Sequence, residues 1–271
     1  MSALKFSLIQ TSLHWEDKEA NLEMLRKKIE TIEHTHVIVL PEMFTTGFTM
    51  KPELVAEQMD GATMQWMRKL ANEKKVIVTG SIVVEENNNF YNRLLWVQPD
   101  GNYGHYDKRH LFAYGKEDQH YASGQRRFIT SVNGWRINLM ICYDLRFPVW
   151  SRQQYQQVEG QEYEYDVLIY MANWPDKRKH AWKTLLQARA IENQCYVIGV
   201  NRVGQDANNL DYSGDSMAVN ALGEVLYHKE HDEDIFTVTL DKKHLSEVRE
   251  KLPFWREADP FLLINSGEIS G

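Results

Sequence analysis

Three residues that could act together in nucleophilic catalysis each follow an apolar run of strand length: Glu42, Lys108 and Cys142. A thiol of ordinary pKa is mostly protonated at neutral pH, so a nucleophilic cysteine needs a base to take its proton or a cation to stabilise the thiolate. Glu42 could be that base, and Lys108 could be the cation. Because open α/β sheets place their chemistry at the carboxyl ends of strands, we expect the three side chains to meet there.

These three groups together favour attack on an amide carbon. Negative charge would develop on the carbonyl oxygen, where the Lys108 ammonium and the backbone N–H of Tyr143 could stabilise it. Glu42, once protonated, could return its proton to the leaving ammonia and then activate the water that hydrolyses a thioester on Cys142. The pattern therefore predicts a cysteine amidase whose mechanism requires no metal and no cofactor.

Each residue also has a structural interpretation when it is considered alone. A lone cysteine beside an apolar run is usually a small buried hydrophobic residue, and Glu42 or Lys108 would most often be a solvated loop charge. A cysteine–histidine pair stays open because the chain has ten histidines, although none follows a strand as clearly as Glu42 does. Arg146 after Cys142 could suggest a cysteine phosphatase, but Asp144 would repel a phosphate.

The elements that would position these residues follow the alternation of helices and apolar strands that is typical of a layered α/β domain. Strands are predicted over 5–11, 36–40, 76–84, 91–97, 103–107, 127–132, 137–141, 167–171, 195–200, 216–220, 225–228 and 235–240. Helices are predicted over 22–32, 63–74, 149–158, 180–193 and 243–251. No linker divides the 271 residues, which predicts one domain.

Composition excludes several functional classes. The 31 basic and 38 acidic residues are interspersed and give a net charge of −7, so nucleic acid is not an expected partner. No apolar run approaches the length of a membrane span, and the amino terminus has no signal-peptide pattern, which predicts a soluble cytoplasmic protein. Two cysteines cannot form a disulfide framework. Eight tryptophans and thirteen tyrosines suggest an aromatic-walled cavity or a subunit interface, and composition leaves both open.

Three segments closely resemble the catalytic motifs of the carbon-nitrogen hydrolase (nitrilase) superfamily, in the same order. They are Leu40-Pro-Glu-Met-Phe44, Tyr106-Asp-Lys-Arg-His-Leu-Phe112 and Ile141-Cys-Tyr-Asp-Leu-Arg-Phe147. The resemblance implies Glu42 as base, Lys108 as the cation that stabilises the intermediate, and Cys142 as nucleophile. It also implies a four-layer α-β-β-α sandwich in one domain spanning 1–271, and a homodimer.

The longer forms of these motifs, together with Ala172-Asn-Trp-Pro175, resemble the bacterial omega-amidase branch. That branch hydrolyses the terminal amide of 2-oxo-dicarboxylic acid monoamides such as 2-oxoglutaramate and 2-oxosuccinamate. The resemblance further implies that Glu117 is a second glutamate that orients Lys108 and the substrate. Two alternatives remain: another small-amide or carbamoyl hydrolase of the superfamily, and a catalytically silent scaffold or binding protein that keeps the fold.

Residues that would bind the small-molecule substrate are predicted near the strand ends. Trp174 and Pro175 follow a buried strand and could form a pocket wall or a packed corner, and Phe44 is a further candidate for the pocket. The far carboxylate of a dicarboxylate monoamide needs a cation. Candidates by residue type are Arg146, Lys177, Arg178 and His180. The aromatic tail, residues 253–271, is expected to pack at a subunit interface.

Overall fold

The computed structural model describes residues 3–154 and 162–263. Its strands, in chain order, are β1 (Leu4–Gln10), β2 (Val37–Val39), β3 (Ile77–Glu86), β4 (Asn89–Val97), β5 (Tyr103–Asp107), β6 (Ile129–Val132), β7 (Trp135–Ile141), β8 (Val167–Ala172), β9 (Tyr196–Asn201), β10 (Val203–Gln205), β11 (Asp211–Val219), β12 (Val225–Glu230) and β13 (Asp234–Leu240). Its helices are α1 (Lys18–Glu30), α2 (Pro52–Val55), α3 (Ala62–Lys74), α4 (Pro148–Ser151), α5 (Lys179–Asn193) and α6 (Lys242–Lys251).

These strands form two sheets. The first has the order β13-β1-β2-β3-β4-β5, and β1, β2 and β3 run parallel at its centre. The second has the order β10-β11-β9-β8-β7-β6, with β12 paired to β11, and β7, β8 and β9 run parallel. Because parallel neighbours end on the same side, each sheet gathers the loops that follow its central strands at one edge.

Successive side chains along the strands of the first sheet point to opposite faces of that sheet. On β2, Val37 and Val39 belong to the apolar core that also contains β7, β8 and β9, whereas Ile38 packs with α1 and α3. The second sheet is buried on both faces in the same way, since α5 and α6 contribute Trp182, Leu186 and Val248 to its core. The predicted four-layer α-β-β-α sandwich is therefore confirmed, with the two sheets as the inner layers.

Most predicted elements are present, with small differences at their ends. The structure adds β10 and begins β11 at Asp211 rather than at residue 216. This region escaped prediction because Ser213 and Asp215 are polar. Both are buried, and the Ser213 hydroxyl donates to the Asp215 carboxylate at 2.6 Å, so paired polar groups replace the expected apolar ones.

The predicted helix 149–158 is corrected in part. Helix α4 ends at Ser151 and Arg152 is already extended, while residues 155–161 lie outside the described part of the chain. Pro148 at the first helical position explains why a helix begins there. Within the described residues, no helix combines the length and the apolar character that crossing a bilayer requires.

Candidate active site

The three residues predicted to act together come from different sheets. Glu42 follows β2 and Lys108 follows β5, both in the first sheet, whereas Cys142 follows β7 in the second. The packing of one sheet on the other brings these strand ends to a common edge. The site is thus assembled between the two inner layers of the sandwich.

A buried ionic cluster joins the side chains of Lys108, Glu42 and Glu117. The Lys108 Nζ donates to Glu42 Oε1 at 2.9 Å and to the two carboxylate oxygens of Glu117 at 3.0 and 2.9 Å. All three side chains are fully buried. A buried ammonium with good geometry to two carboxylates is held in place by them, because losing either contact would leave an unpaired buried charge.

Burial and charge act in opposite directions on this cluster. Burial on its own lowers the pKa of Lys108, but the negative charges of Glu117 and Glu42 outweigh it and raise the pKa overall. Burial raises the pKa of Glu117, and the nearby Glu42 charge adds to this, although the Lys108 ammonium lowers it. Lys108 is therefore a permanent cation at any physiological pH.

Cys142 occupies a sharp turn between β7 and a short 3-10 helix, Cys142–Arg146. Its φ of +43° lies in the left-handed region, which costs a non-glycine residue roughly 1–2 kcal/mol. This conformation turns the side chain out of the strand and toward Glu42, whose negative charge acts on the thiol. Burial and the negative charge of Glu42 raise the pKa of the thiol well above its ordinary value, although Lys108 lowers it. The resting thiol is therefore neutral.

Asp144 ties the Cys142 turn to the segment that carries Lys108. Its Oδ2 accepts from the Tyr106 hydroxyl at 2.8 Å and from the backbone N–H of Ile141 at 3.1 Å, and its Oδ1 accepts from the backbone N–H of His110 at 3.0 Å. Sequence reasoning considered Asp144 only as a charge that would repel phosphate. The sequence feature that could have identified Asp144 is a carboxylate two residues after the cysteine in an otherwise apolar segment.

Two asparagines that the sequence did not single out contact Glu42. The Asn92 side-chain amide donates to Glu42 Oε1 at 2.8 Å, and the backbone N–H of Asn173 donates to Glu42 Oε2 at 2.7 Å. The Asn173 side chain also donates to the Glu42 carbonyl at 2.6 Å. The sequence feature that could have identified Asn92 is a polar residue within a predicted strand, β4.

A cavity of about 400 Å³ opens above Cys142. Tyr143, Trp174, Pro175 and Arg146 line it, and the Arg146 guanidinium lies 5.0 Å from the centre of the Trp174 ring. The remaining lining residues are Phe48, Met50, Phe112, Tyr114, Gly115, Asn173, Lys177, Arg178, Asp206, Asn208, Leu210 and Tyr212. Aromatic walls with a few charged groups are typical of a small-molecule site.

Phe44 is placed differently from the prediction. It is fully buried in the apolar layer between the first sheet and α3, with its ring 6.1 Å from that of Trp66, and it does not reach the cavity. A Cβ on Gly80 would lie 2.7 Å from the Phe44 ring, so the ring fills a space that this glycine leaves open. Phe48, four residues further along the chain, lines the cavity instead. His180, a candidate cation, is exposed on α5 and is not among the described lining residues.

A group away from the cavity has the donors of a metal site. The ligand atoms of Asp215, His228 and Glu230 lie within 4.8 Å of one another. Asp215 is already paired, because its carboxylate contacts the Lys183 ammonium at 3.1 Å and His228 at 2.8 Å. A neighbouring ammonium disfavours a second cation, so this group is better explained as an ion-pair network.

The chain is similar to two proteins named as amidases over most of its length. The chain is 42% identical to omega-amidase YafV of Escherichia coli (strain K12) over 264 residues, covering 97% of this chain and 100% of that protein. It is 36% identical to the 2-oxoglutaramate amidase of Bacillus subtilis (strain 168), covering 82% and 84% of the two chains.

Solved structures and a family model lead to the same assignment. The crystal structure of XC1258 from Xanthomonas campestris, a CN-hydrolase superfamily protein with an arsenic adduct in the active site, matches with a TM-score of 0.95 and 41% identity. That match covers 97% of this chain and 100% of the other. The carbon-nitrogen hydrolase family model matches residues 5–250. The chain therefore belongs to the carbon-nitrogen hydrolase (nitrilase) superfamily, in its omega-amidase branch.

Proposed function

We propose that the protein is an omega-amidase that hydrolyses the terminal amide of a 2-oxo-dicarboxylic acid monoamide to the acid and ammonia. One observation carries the chemistry: the neutral Cys142 thiol lines the cavity and lies near enough to Glu42 and Lys108 for both charges to act on its pKa, while Glu42 and Glu117 hold the Lys108 ammonium in a buried cluster. Base, cation and nucleophile are thus organised before the substrate arrives. Such preorganisation lowers the barrier because no reorientation is needed during the reaction.

In the first half-reaction, the Cys142 sulfur attacks the amide carbon while its proton moves to Glu42 Oε2. The carbonyl oxygen becomes an oxyanion, stabilised by the Lys108 ammonium and by the backbone N–H of Tyr143, which has no acceptor within its helix because it lies in the first turn. Glu42 then returns the proton to the amide nitrogen, the C–N bond breaks, and ammonia leaves. A thioester remains on Cys142.

In the second half-reaction, a water molecule attacks the thioester carbon while Glu42 takes its proton. The C–S bond breaks, the acid is released, and Glu42 returns the proton to the sulfur. Glu117 keeps its negative charge throughout and orients Lys108, because both of its carboxylate oxygens accept from that ammonium. The cycle ends with the thiol and the carboxylate in their starting protonation states.

The charge of the cavity supports an anionic substrate. Arg146, Lys177 and Arg178 contribute three cationic side chains to its lining. Of the described residues that line it, Asp206 alone carries a carboxylate, and that group already accepts two backbone N–H groups and the Tyr212 hydroxyl. We propose that Arg146 binds the far carboxylate of the substrate, and that Trp174 and Pro175 form the pocket wall beside the carbon chain of the substrate.

A panel of small amides tests this assignment. We expect 2-oxoglutaramate and 2-oxosuccinamate to be hydrolysed with kcat/KM at least about 100-fold above that of uncharged amides of similar length, because only the former place a carboxylate among the cations. Released ammonia is the measurement. Equal rates for uncharged amides, or a preference for carbamoyl amino acids, would favour the alternative hydrolases. No turnover of any amide would favour a silent binding protein.

We also propose that residues 1–271 form one domain, that two copies associate, and that the tail 253–271 packs at their interface. Phe254 is 66% exposed, as is expected of an aromatic residue that a partner covers, while 264–271 lie outside the described residues. Light scattering should give twice the chain mass for the full chain and less for a chain ending at Leu252. If the full chain has the mass of one copy, the proposal that two copies associate is wrong.

We place the enzyme in the cytoplasm. Both cysteines are free thiols, and a catalytic thiol must stay reduced to act as a nucleophile. Cell fractionation followed by immunoblotting would detect the chain outside the cytoplasm if this assignment were wrong.

A further inference from the structure

The side chain of Asn92 lies between the two carboxylates of the site. Its Nδ2 is 2.8 Å from Glu42 Oε1 and 3.2 Å from Glu117 Oε1. The backbone brings it there, because the N–H of Lys108 donates to the carbonyl of Asn92 at 3.0 Å and extends the pairing of β4 with β5. Asn92 is fully buried, so solvent does not compete for either contact.

The orientation of this amide follows from the charges around it. An oxygen facing two carboxylate oxygens would be repelled by both, so the group that faces them must be the NH₂. That NH₂ has two hydrogens, and each carboxylate accepts one. Asn92 thereby links Glu42 to Glu117 on one side, as the Lys108 ammonium links them on the other.

These contacts leave few positions where a proton could bind to the carboxylates. Each carboxylate oxygen accepts about two hydrogen bonds. Glu42 Oε1 accepts from Lys108 and Asn92, and so does Glu117 Oε1. Glu117 Oε2 accepts from Lys108 and from the backbone N–H of Phe112 at 2.6 Å. Counting the hydrogen bonds of residues 3–154 and 162–263, only Glu42 Oε2 keeps a free position, since Asn173 alone donates to it.

We propose that Asn92 is a positioning residue of the hydrolytic site, which directs the Cys142 proton to Glu42 Oε2 by occupying Glu42 Oε1 and Glu117 Oε1. This proposal rests on the proposed function, in which Glu42 is the base. Without the amide, one position on each glutamate would become free. The pair could then take up a proton at an atom from which it is not returned to the leaving ammonia.

Removing the amide should also change the pH at which the base works. A hydrogen bond to a carboxylate stabilises its charged form, so loss of Asn92 should raise the pKa of Glu117 further and leave the charged form of Glu42 less stabilised. The active form needs Glu42 ionised. As the pH is lowered, a variant without the Asn92 amide should therefore lose activity at a higher pH than the natural protein does.

The test compares Asn92→Leu with Asn138→Leu. Asn138 is also a fully buried asparagine in a strand, and among the described residues neither polar atom of its side chain has a partner, so this substitution removes no hydrogen bond. Three quantities are measured from pH 5 to pH 9: kcat and KM for ammonia release from 2-oxoglutaramate, and the rate of Cys142 alkylation by iodoacetamide. Thermal unfolding reports whether each variant is folded.

We expect Asn92→Leu to lower kcat about 100-fold with KM changed less than about threefold. The acidic limb, meaning the fall in kcat at the low-pH side of the pH profile, should move to higher pH by about one pH unit. Alkylation at pH 7 should slow about tenfold, whereas Asn138→Leu should match the natural protein in all three. A merely structural role would lower activity without moving the acidic limb. An unmoved limb in a folded Asn92→Leu variant would therefore overturn the proposal.

A second variant, Asn92→Asp, keeps the shape of the side chain and covers the case in which the leucine variant does not fold. An ionised aspartate cannot donate, and its negative charge disfavours the ionised form of Glu42, so the acidic side of the activity profile should move to higher pH at least as far as in Asn92→Leu. A profile like that of the natural protein would again overturn the proposal. Alkylation requires no amide substrate, so it tests Asn92 separately from the substrate assignment, and Cys142→Ala tests the proposed function itself.

Discussion

Cys142→Ala is expected to reduce ammonia release by at least about ten-thousand-fold and to leave the fold intact. The sulfur is the atom that forms the thioester, and the remaining groups of the site can only polarise the amide. The side chain is small and lies in a cavity wall, so its truncation removes little packing. Ammonia release is measured at saturating 2-oxoglutaramate, and circular dichroism and thermal unfolding report the fold.

Cys195→Ala is the matched control for this prediction. The Cys195 thiol is fully buried in the apolar core beside β9, where burial raises its pKa, and it is not among the described residues that line the cavity. We expect a loss of roughly 1–2 kcal/mol in the free energy of unfolding and unchanged kcat. Undiminished turnover by Cys142→Ala, or loss of turnover by a folded Cys195→Ala, would contradict the assignment of the nucleophile.

Lys108→Met should abolish turnover and, at neutral pH, lower the free energy of unfolding by about 3–5 kcal/mol. The natural ammonium contacts three carboxylate oxygens at 2.9 to 3.0 Å in a fully buried site. Methionine fills a similar volume without a charge, so Glu42 and Glu117 would face each other with no cation between them. Urea unfolding of the variant and of the natural protein at pH 7.5 measures the difference.

The stability loss should depend on pH, with a sign that follows from the carboxyl groups. The pKa of Glu117 is already raised by burial in the natural protein, and removing the ammonium raises it further. A group whose folded pKa exceeds its unfolded value binds a proton more tightly in the folded state. The loss is therefore full above the raised pKa and is relieved as the pH falls toward the unfolded value of about 4.3.

Two comparisons check this interpretation. Urea unfolding at pH 5.5 should show a smaller difference between Lys108→Met and the natural protein than unfolding at pH 7.5 does. The double variant Lys108→Met with Glu117→Gln removes one of the two charges and should regain much of the stability but none of the activity. An equal loss at both pH values would mean that the lysine contributes through packing rather than through charge.

The residues that sequence reasoning missed share one property. Each has a partner that is distant in the chain: Asn92 is 50 residues from Glu42, Asn173 is 131 residues from it, and Asp144 is 38 residues from Tyr106. Local patterns of apolar and polar residues carry no information about such pairs. Glu117 was named only through the resemblance to a family, since its loop has no regular pattern of its own.

Phe44 illustrates a second kind of difference. It lies in the same motif as Glu42 and was expected in the pocket, yet it packs between the first sheet and α3. The turn after Glu42, where Met43 has a φ of +43°, decides which side chains face the cavity. Proximity in the sequence does not determine direction where the backbone leaves regular structure.

The four-layer arrangement was expected only from the resemblance to a family, but the amino-acid sequence by itself determined a layered α/β domain and the placement of a carboxylate, an amine and a thiol directly after buried strands. It could do so because strand-length apolar runs and the prolines and polar residues that end them are local features. Only the tertiary structure decided that Glu42 and Lys108 come from one sheet and Cys142 from the other, and that Asn92 and Asn173 occupy the acceptor positions of Glu42. Hydrogen bonds act over about 3 Å, so they are specified only when packing has brought distant segments together.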